Sequence, residues 1–190
     1  MIPRAGAAAT GVLLALLSGG RAHAQSFPTQ EEALRLAFPA PAEIQRRTAF
    51  LDEAQIEKAR RLAGPDVKIR QRVVIYYIGT REGDTLGFAY FDAHRVRTHP
   101  EVLMLVVSAD GKIGRIETLK FAEPPEYRPP ERWLRQFGRF GLSSPGGGGR
   151  SKGEIIKLTG ATLTTRAVTR AVRRVLALHA VLTGRGESGR

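Results

Sequence analysis

Four threonines fall within Thr159–Thr165, TGATLTT, between a glycine-rich stretch (PGGGGR, 145–150) and a run of helical periodicity (RAVTRAVRRVLALHAVL, 166–182). Hydroxyls at the mouth of a helix have three chemical uses. Thr162, Thr164 or Thr165 can cap the helix by accepting a hydrogen bond from a first-turn N–H. The free N–H groups of that turn, with the helix dipole behind them, can hold a phosphate. A threonine hydroxyl beside that phosphate can also be esterified to it. Gly160 permits an unusual backbone angle and a close approach, and Ala161 leaves room beside it for a flat ring.

The elements that must position these residues follow from periodicity. From Arg166 onward, Val168, Ala171, Val172, Val175, Leu178, His179 and Leu182 share one helical face, with arginines mostly opposite and Gly184 as the stop. His179 on that face reads as a packed helix histidine. Thr29 with Glu32 has the form of a capping box for a short helix ended by Pro39 and Pro41. Asp52 and Gly64-Pro65 bracket a second helix over 52–63. The centre changes to β-branched and aromatic residues. Strands are expected over 67–78, 84–92, 101–108 and 113–121, with 79–83 as a hairpin connection and 94–101 lying between strands. Such short connections exclude a parallel sheet, which needs crossover helices. The predicted fold class is α+β: a single domain with a twisted, mainly antiparallel sheet of at least four strands, helices on one face, and a long C-terminal helix. Residues 130–138 are predicted to form one or two helical turns carrying Trp133, Leu134 and Phe137.

Residues 1–24 read as a secretory signal peptide. Arg4 is the positive start, Gly11–Leu17 the apolar core, and Ala22-His23-Ala24 the small-x-small cleavage form. The apolar stretch is short for a membrane span, which needs about 20 residues, and no second run approaches that length. The expected mature chain is therefore 25–190, with a domain over 25–183, a loose tail over 184–190 and no transmembrane span. Its expected location is periplasmic or otherwise extracytoplasmic. The chain has no cysteine, which excludes disulfides, thiolate-bound metal clusters and thioether-attached haem. The formal charge of +12 falls by only two with the leader's Arg4 and Arg21. No helix-turn-helix pair precedes the arginine-bearing final helix, so a nucleic-acid partner is not expected. His94 and His99, with Asp92 nearby, lack a third local histidine, so no metal site is expected either.

The stretch Thr159-Gly160-Ala161-Thr162-Leu163-Thr164 closely resembles the flavinylation motif of the FMN-binding domain family. Members include the covalent-flavin subunits of sodium-pumping quinone reductases and of Rnf electron-transport complexes. The family pattern is Asp-x-x-Ser/Thr-Gly-Ala-Thr/Ser-x-Ser/Thr, and its last hydroxyl residue carries FMN through a phosphoester. The resemblance places that residue at Thr164, puts Thr162 on the phosphate side and opens the motif core at Thr159. The acidic position of the pattern is Ile156 here. The stretches GFAYFDAHRVRTHPE, EPPEYRPPERWLRQF and TTRAVTRAVRRVLALH also look like small exported members, so the resemblance covers most of 30–183.

What the resemblance implies is an exported electron-transfer flavoprotein. FMN is the cofactor, an FAD:protein FMN transferase attaches it, and a membrane reductase or multihaem cytochrome exchanges electrons with it. His94, Arg97 and Thr98 are candidates to fold over the flavin or its phosphate, and Tyr127 and Trp133 to wall the site. The alternative is an exported noncatalytic binding module, holding flavin noncovalently or docking an acidic partner.

Overall fold

Two capping boxes start the first two helices: the one expected of Thr29 and Glu32, and a second in which Gln55 joins the expected Asp52. Thr29 Oγ1 accepts from Glu32 N at 3.2 Å while Glu32 Oε2 accepts from Thr29 N at 2.7 Å, opening α1 (Gln30–Ala37). Asp52 and Gln55 repeat the exchange at 2.7 and 3.0 Å for α2 (Glu53–Ala63), which ends at Gly64 with φ 88°. Each box satisfies two N–H groups that a helix start otherwise leaves without partners. The computed structural model describes residues 27–138, 140–142 and 161–184. The expected signal peptide, the glycine-rich loop, Thr159, Gly160 and nearly all of the expected tail lie outside the described residues.

Five antiparallel strands follow in sheet order β1-β2-β3-β4-β5: β1 (Glu43–Phe50), β2 (Val73–Arg81), β3 (Asp84–Val96), β4 (His99–Ser108) and β5 (Ile113–Phe121). The α+β class with a mainly antiparallel sheet and a long final helix is therefore the observed architecture. Several boundaries move. The expected strand over 67–78 begins only at Val73, and residues 67–72 form the link that carries buried Val67 and Ile69 from α2 to the sheet. The turn expected over 79–83 shrinks to Glu82-Gly83, with φ of 52° and 88°, so Gly79 belongs to β2. The polar segment 94–101 is the tip of a β3–β4 hairpin, not a loop: pairing continues to Val96↔His99. β1 was not expected at all.

Alternation along the sheet sorts side chains onto two faces. Tyr90, Leu103, Leu105 and Val107 face a core closed by α2 and by α4 (Thr162–Leu182). Ala89, Met104 and Val106 face Ala33, Leu34 and Phe38 of α1 and its C-terminal cap. Helices thus cover both faces, correcting the expectation of one. The predicted turns over 130–138 are present as α3 (Glu131–Leu134) and a 3-10 turn (Arg135–Phe137), burying Trp133, Leu134 and Phe137. α4 buries Val168, Ala171, Val172, Val175 and Leu178, the face read from the sequence, and each buried Val or Leu is worth about 1.5–3 kcal/mol.

The sheet is not continuous across its width. β2 pairs with β1 from Val73, but with β3 only from Tyr76. Val73–Ile75 therefore part from Phe91–Ala93, leaving a split at one end. Nearer the other end, Gly79 lies under the Phe38 ring, and a Cβ there would stand 2.3–2.7 Å from three ring carbons. Gly79→Ala is expected to destabilise the protein by about 1–3 kcal/mol, the usual cost of overpacking a filled core, read as a lower urea midpoint.

Candidate functional site

The threonine motif enters α4 earlier than periodicity suggests. The helix begins at Thr162, and its N-cap is Ala161 (φ −117°, ψ 33°), which offers no side-chain cap. None of the threonines does the capping expected of them. Thr165 turns its hydroxyl back to donate to Ala161 O at 3.0 Å, the same oxygen its own N–H reaches at 3.0 Å. The N–H groups of Thr162, Leu163 and Thr164 have no partner within the helix, as for any first turn, and that turn contains no acidic residue. A helix start of this kind presents donors and a positive dipole end to an anion.

A cavity of about 280 Å³ lies against this turn, lined by Ala161, Thr162, Leu163, Thr164, Val96, Arg97, Glu123 and Tyr127. Thr164 is 1% exposed and Thr162 is exposed. Val96, Phe121 and Ala167 pack behind the cavity with Tyr127. Arg97 occupies the β3–β4 turn with φ 51°, a left-handed angle rarely taken by a residue with a side chain. Its guanidinium stands 5.7 Å from the Tyr127 ring centre, a cation–π arrangement.

Glu123 holds the turn in place. Its Oε1 accepts from Thr98 N at 3.4 Å and His99 N at 3.3 Å, and pairs with His99 Nδ1 at 3.3 Å. Burial pushes the Glu123 pKa up, but these donors from His99 and Thr98 outweigh it and hold it below the usual value. Thr98 is thus tied down beside the cavity without lining it, and its Oγ1 lies 3.0 Å from His99 Nδ1.

The predicted site residues therefore separate. Ala161, Thr162, Thr164 and Arg97 share one cavity, and Tyr127 walls it as expected. Trp133 is instead buried in the main core against Phe137. His94 lies along β3 with both ring nitrogens held by carboxylates: Nδ1 is 2.8 Å from Asp92 Oδ1, and Nε2 is 2.8 Å from Glu101 Oε2. Asp92 also receives Arg174 Nε at 2.6 Å and Nη2 at 3.1 Å from α4. Sequence reasoning missed Val96, Glu123 and this Arg174 strut. The acid of EPPE next to the hairpin was the one signal available for Glu123.

The strut, with the buried contact of His179 Nδ1 and Tyr90 Oη at 2.9 Å, ties α4 to β3 and so sets which strand residues face Thr164. Burial lowers the His94 pKa, yet hydrogen bonds and charge from Asp92 and Glu101 outweigh it and raise it to about 9. Burial raises Asp92, but His94 and Arg174 bring it below its ordinary value. A raised histidine contributes stability that is complete below about 6.5 and is lost as pH climbs through about 9. That contribution is on the order of 3 kcal/mol. Asp92 acts oppositely, with its share lost as pH falls. Urea unfolding from pH 7 to 9.5 is expected to show declining stability, and His94→Gln is expected to flatten that decline.

Residues 99–177 match the family model of the FMN-binding domain. No match was found among curated proteins. The matched segment contains β4, β5, Glu123, Tyr127 and the first turn of α4 with Thr164. The bare helix start, the Thr164 hydroxyl position and Arg97 across the cavity suit the phosphate end of such a cofactor. An FMN-binding domain is therefore present over residues 99–177.

Proposed function

We propose that the protein is an exported electron-transfer flavoprotein whose FMN is phosphoester-linked to Thr164. The observation that carries this reading is the position of Thr164: buried in the uncapped first turn of α4, against the cavity that Arg97 and Tyr127 close. Among the described motif threonines, Thr165 spends its hydroxyl on Ala161 O, and Thr162 is exposed at the first helical position. Attachment by an FAD:protein FMN transferase forms a bond from Thr164 Oγ1 to the FMN-side phosphorus of FAD, breaks the pyrophosphate and releases AMP. Bound FMN exchanges one or two electrons, which suits a relay between a membrane reductase and a multihaem cytochrome.

The chain's own residues have distinct tasks in this reading. The first-turn N–H groups and Arg97 balance the phosphate charge. Tyr127 and Val96 give the site an apolar wall, and Glu123 holds the Arg97 turn against it. Covalent attachment keeps the cofactor with a protein that has left the cytoplasm.

A second reading, noncovalent FMN in a binding module, draws on one observation. Thr164 is already enclosed at 1% exposure, which restricts access to its hydroxyl.

Co-expression with a flavin transferase followed by intact mass measurement decides between them. The expected result is a mass increase of one FMN, absent in Thr164→Ala and retained in Thr165→Ala. Unmodified mass with yellow colour released on denaturation would establish the noncovalent reading. Unmodified, colourless protein would overturn both. The same spectrum reports whether residues 1–24 have been removed.

A further inference from the structure

Where β2 parts from β3, a cleft of about 920 Å³ opens in the sheet. It is far larger than the cavity at Thr164 and shares no residue with it. Its volume is within the range of ligand-binding clefts. Lys68, Arg70 and Arg95 stand exposed around it, and Arg174 and His94 lie deeper. The acid in the lining, Asp92, already accepts from both Arg174 and His94. Among the described residues, neither Lys68 nor Arg70 has a carboxylate partner. The cleft therefore presents uncompensated positive charge.

Its outer lip is apolar. Val73 and Ile75 line the cleft at 45% and 43% exposure, and Phe50, paired with Val73 across β1, is 78% exposed. These are three of the five large apolar side chains exposed among the described residues, gathered on two neighbouring strand ends. α1 covers the same sheet face only farther along, around Ile44 and Tyr77.

Exposed apolar side chains beside free cations match the two-part chemistry of an anionic bilayer, with acyl boundary below and lipid phosphates above. An acidic protein would be satisfied by the cations alone and leaves Phe50 and Ile75 unexplained. We propose that this end of the sheet docks on an anionic membrane surface. A lipid phosphate enters the cleft between Lys68, Arg70 and Arg95, and Phe50, Val73 and Ile75 rest against the acyl boundary. Among the described residues no helix is long and apolar enough to cross a membrane. The inference is independent of FMN and of its linkage to Thr164.

The test is co-sedimentation of the purified protein with phosphatidylcholine vesicles, with and without phosphatidylglycerol. Binding is expected only with phosphatidylglycerol and falls as salt rises. Lys68→Glu/Arg70→Glu is expected to weaken it about tenfold or more, and Phe50→Ser/Ile75→Ser by a comparable factor. Arg132→Glu/Arg135→Glu makes the same charge change at α3 and the turn after it, beside β5 on the opposite edge of the sheet, and is expected to bind nearly as the parent does. All four side chains of the test variants are exposed, and circular dichroism checks that folding is retained. No binding to anionic vesicles would overturn the proposal. So would equal loss in the α3-side control, which marks nonspecific charge attraction. Dependence on the cations without dependence on Phe50 and Ile75 would overturn it in favour of an acidic partner. Displacement by millimolar inorganic phosphate would reduce the cleft to a free-phosphate site.

Discussion

The pairing of Arg174 with Asp92 holds α4, which opens with the threonine motif, against β3, whose end walls the same cavity. The first half of the apolar seam of α4 is built from small, similar residues, Ala167, Val168, Ala171, Val172 and Val175, and the second half adds Leu176, Leu178 and the buried His179, whose Nδ1 lies 2.9 Å from Tyr90 Oη. The small residues repeat at nearly every turn and by themselves favour no single position along the sheet. Arg174 can meet Asp92 at only one such position. Its two bonds to the carboxylate, with a third from Nη1 to Lys68 O at 3.2 Å, select it. Breaking a buried pair from one side typically costs about 3–5 kcal/mol. His94 and Glu101 extend the strut beneath the helix. Glu101 is 1% exposed, and its Oε1 has no hydrogen-bond partner, so the charge on His94 matters to it as much as to Asp92.

Much of this arrangement was legible because it is local. The capping box at Thr29, the helix start at Asp52 with its stop at Gly64, and the apolar face of α4 are each encoded within a few positions of one another. β1 was not legible. Its sequence, EIQRRTAF, shows the burial of an edge strand, with Glu43, Gln45, Arg46, Arg47 and Thr48 all exposed. No alternation of apolar and polar residues marks such a strand, and only pairing with Val73–Thr80 makes it one. The β3–β4 tip was hidden for a related reason. His94, Arg95, Thr98 and His99 are polar, as loop residues are, yet the ladder runs on to Val96↔His99 and meets their polarity with carboxylates and backbone carbonyls.

The start of α4 was misplaced because threonine is a better cap than helix former. Tertiary packing overrides that preference. Thr164 and Thr165 are buried against the body of the protein, and Ala161 takes the cap position without a capping side chain. The resemblance to the flavinylation motif separated Thr164 from its neighbours. The polar segment 94–101 supplied Arg97 as a candidate from more than sixty residues away, but no signal in the motif reached Glu123 beyond β5. The same segment also placed His94 beside the cofactor candidates on sequence proximity, whereas strand alternation and the two carboxylates turn it to a structural task.

The cavity at Thr164 draws its walls from two unlike parts of the chain. Glu123, Tyr127 and the helix start belong to the stretch 99–177, while Val96 and Arg97 come from the last residues before it. The exposed rim of the split end of the sheet, with Phe50, Lys68, Arg70 and Val73, lies in that earlier stretch, while Arg174 and Val175 of α4 line the cleft from the later one. The two stretches share one core, since α2 and β3 pack against α4 and β3 pairs with β4, so only the exposed side chains of the outer strand ends can change toward new surroundings while the walls of the cavity stay as they are.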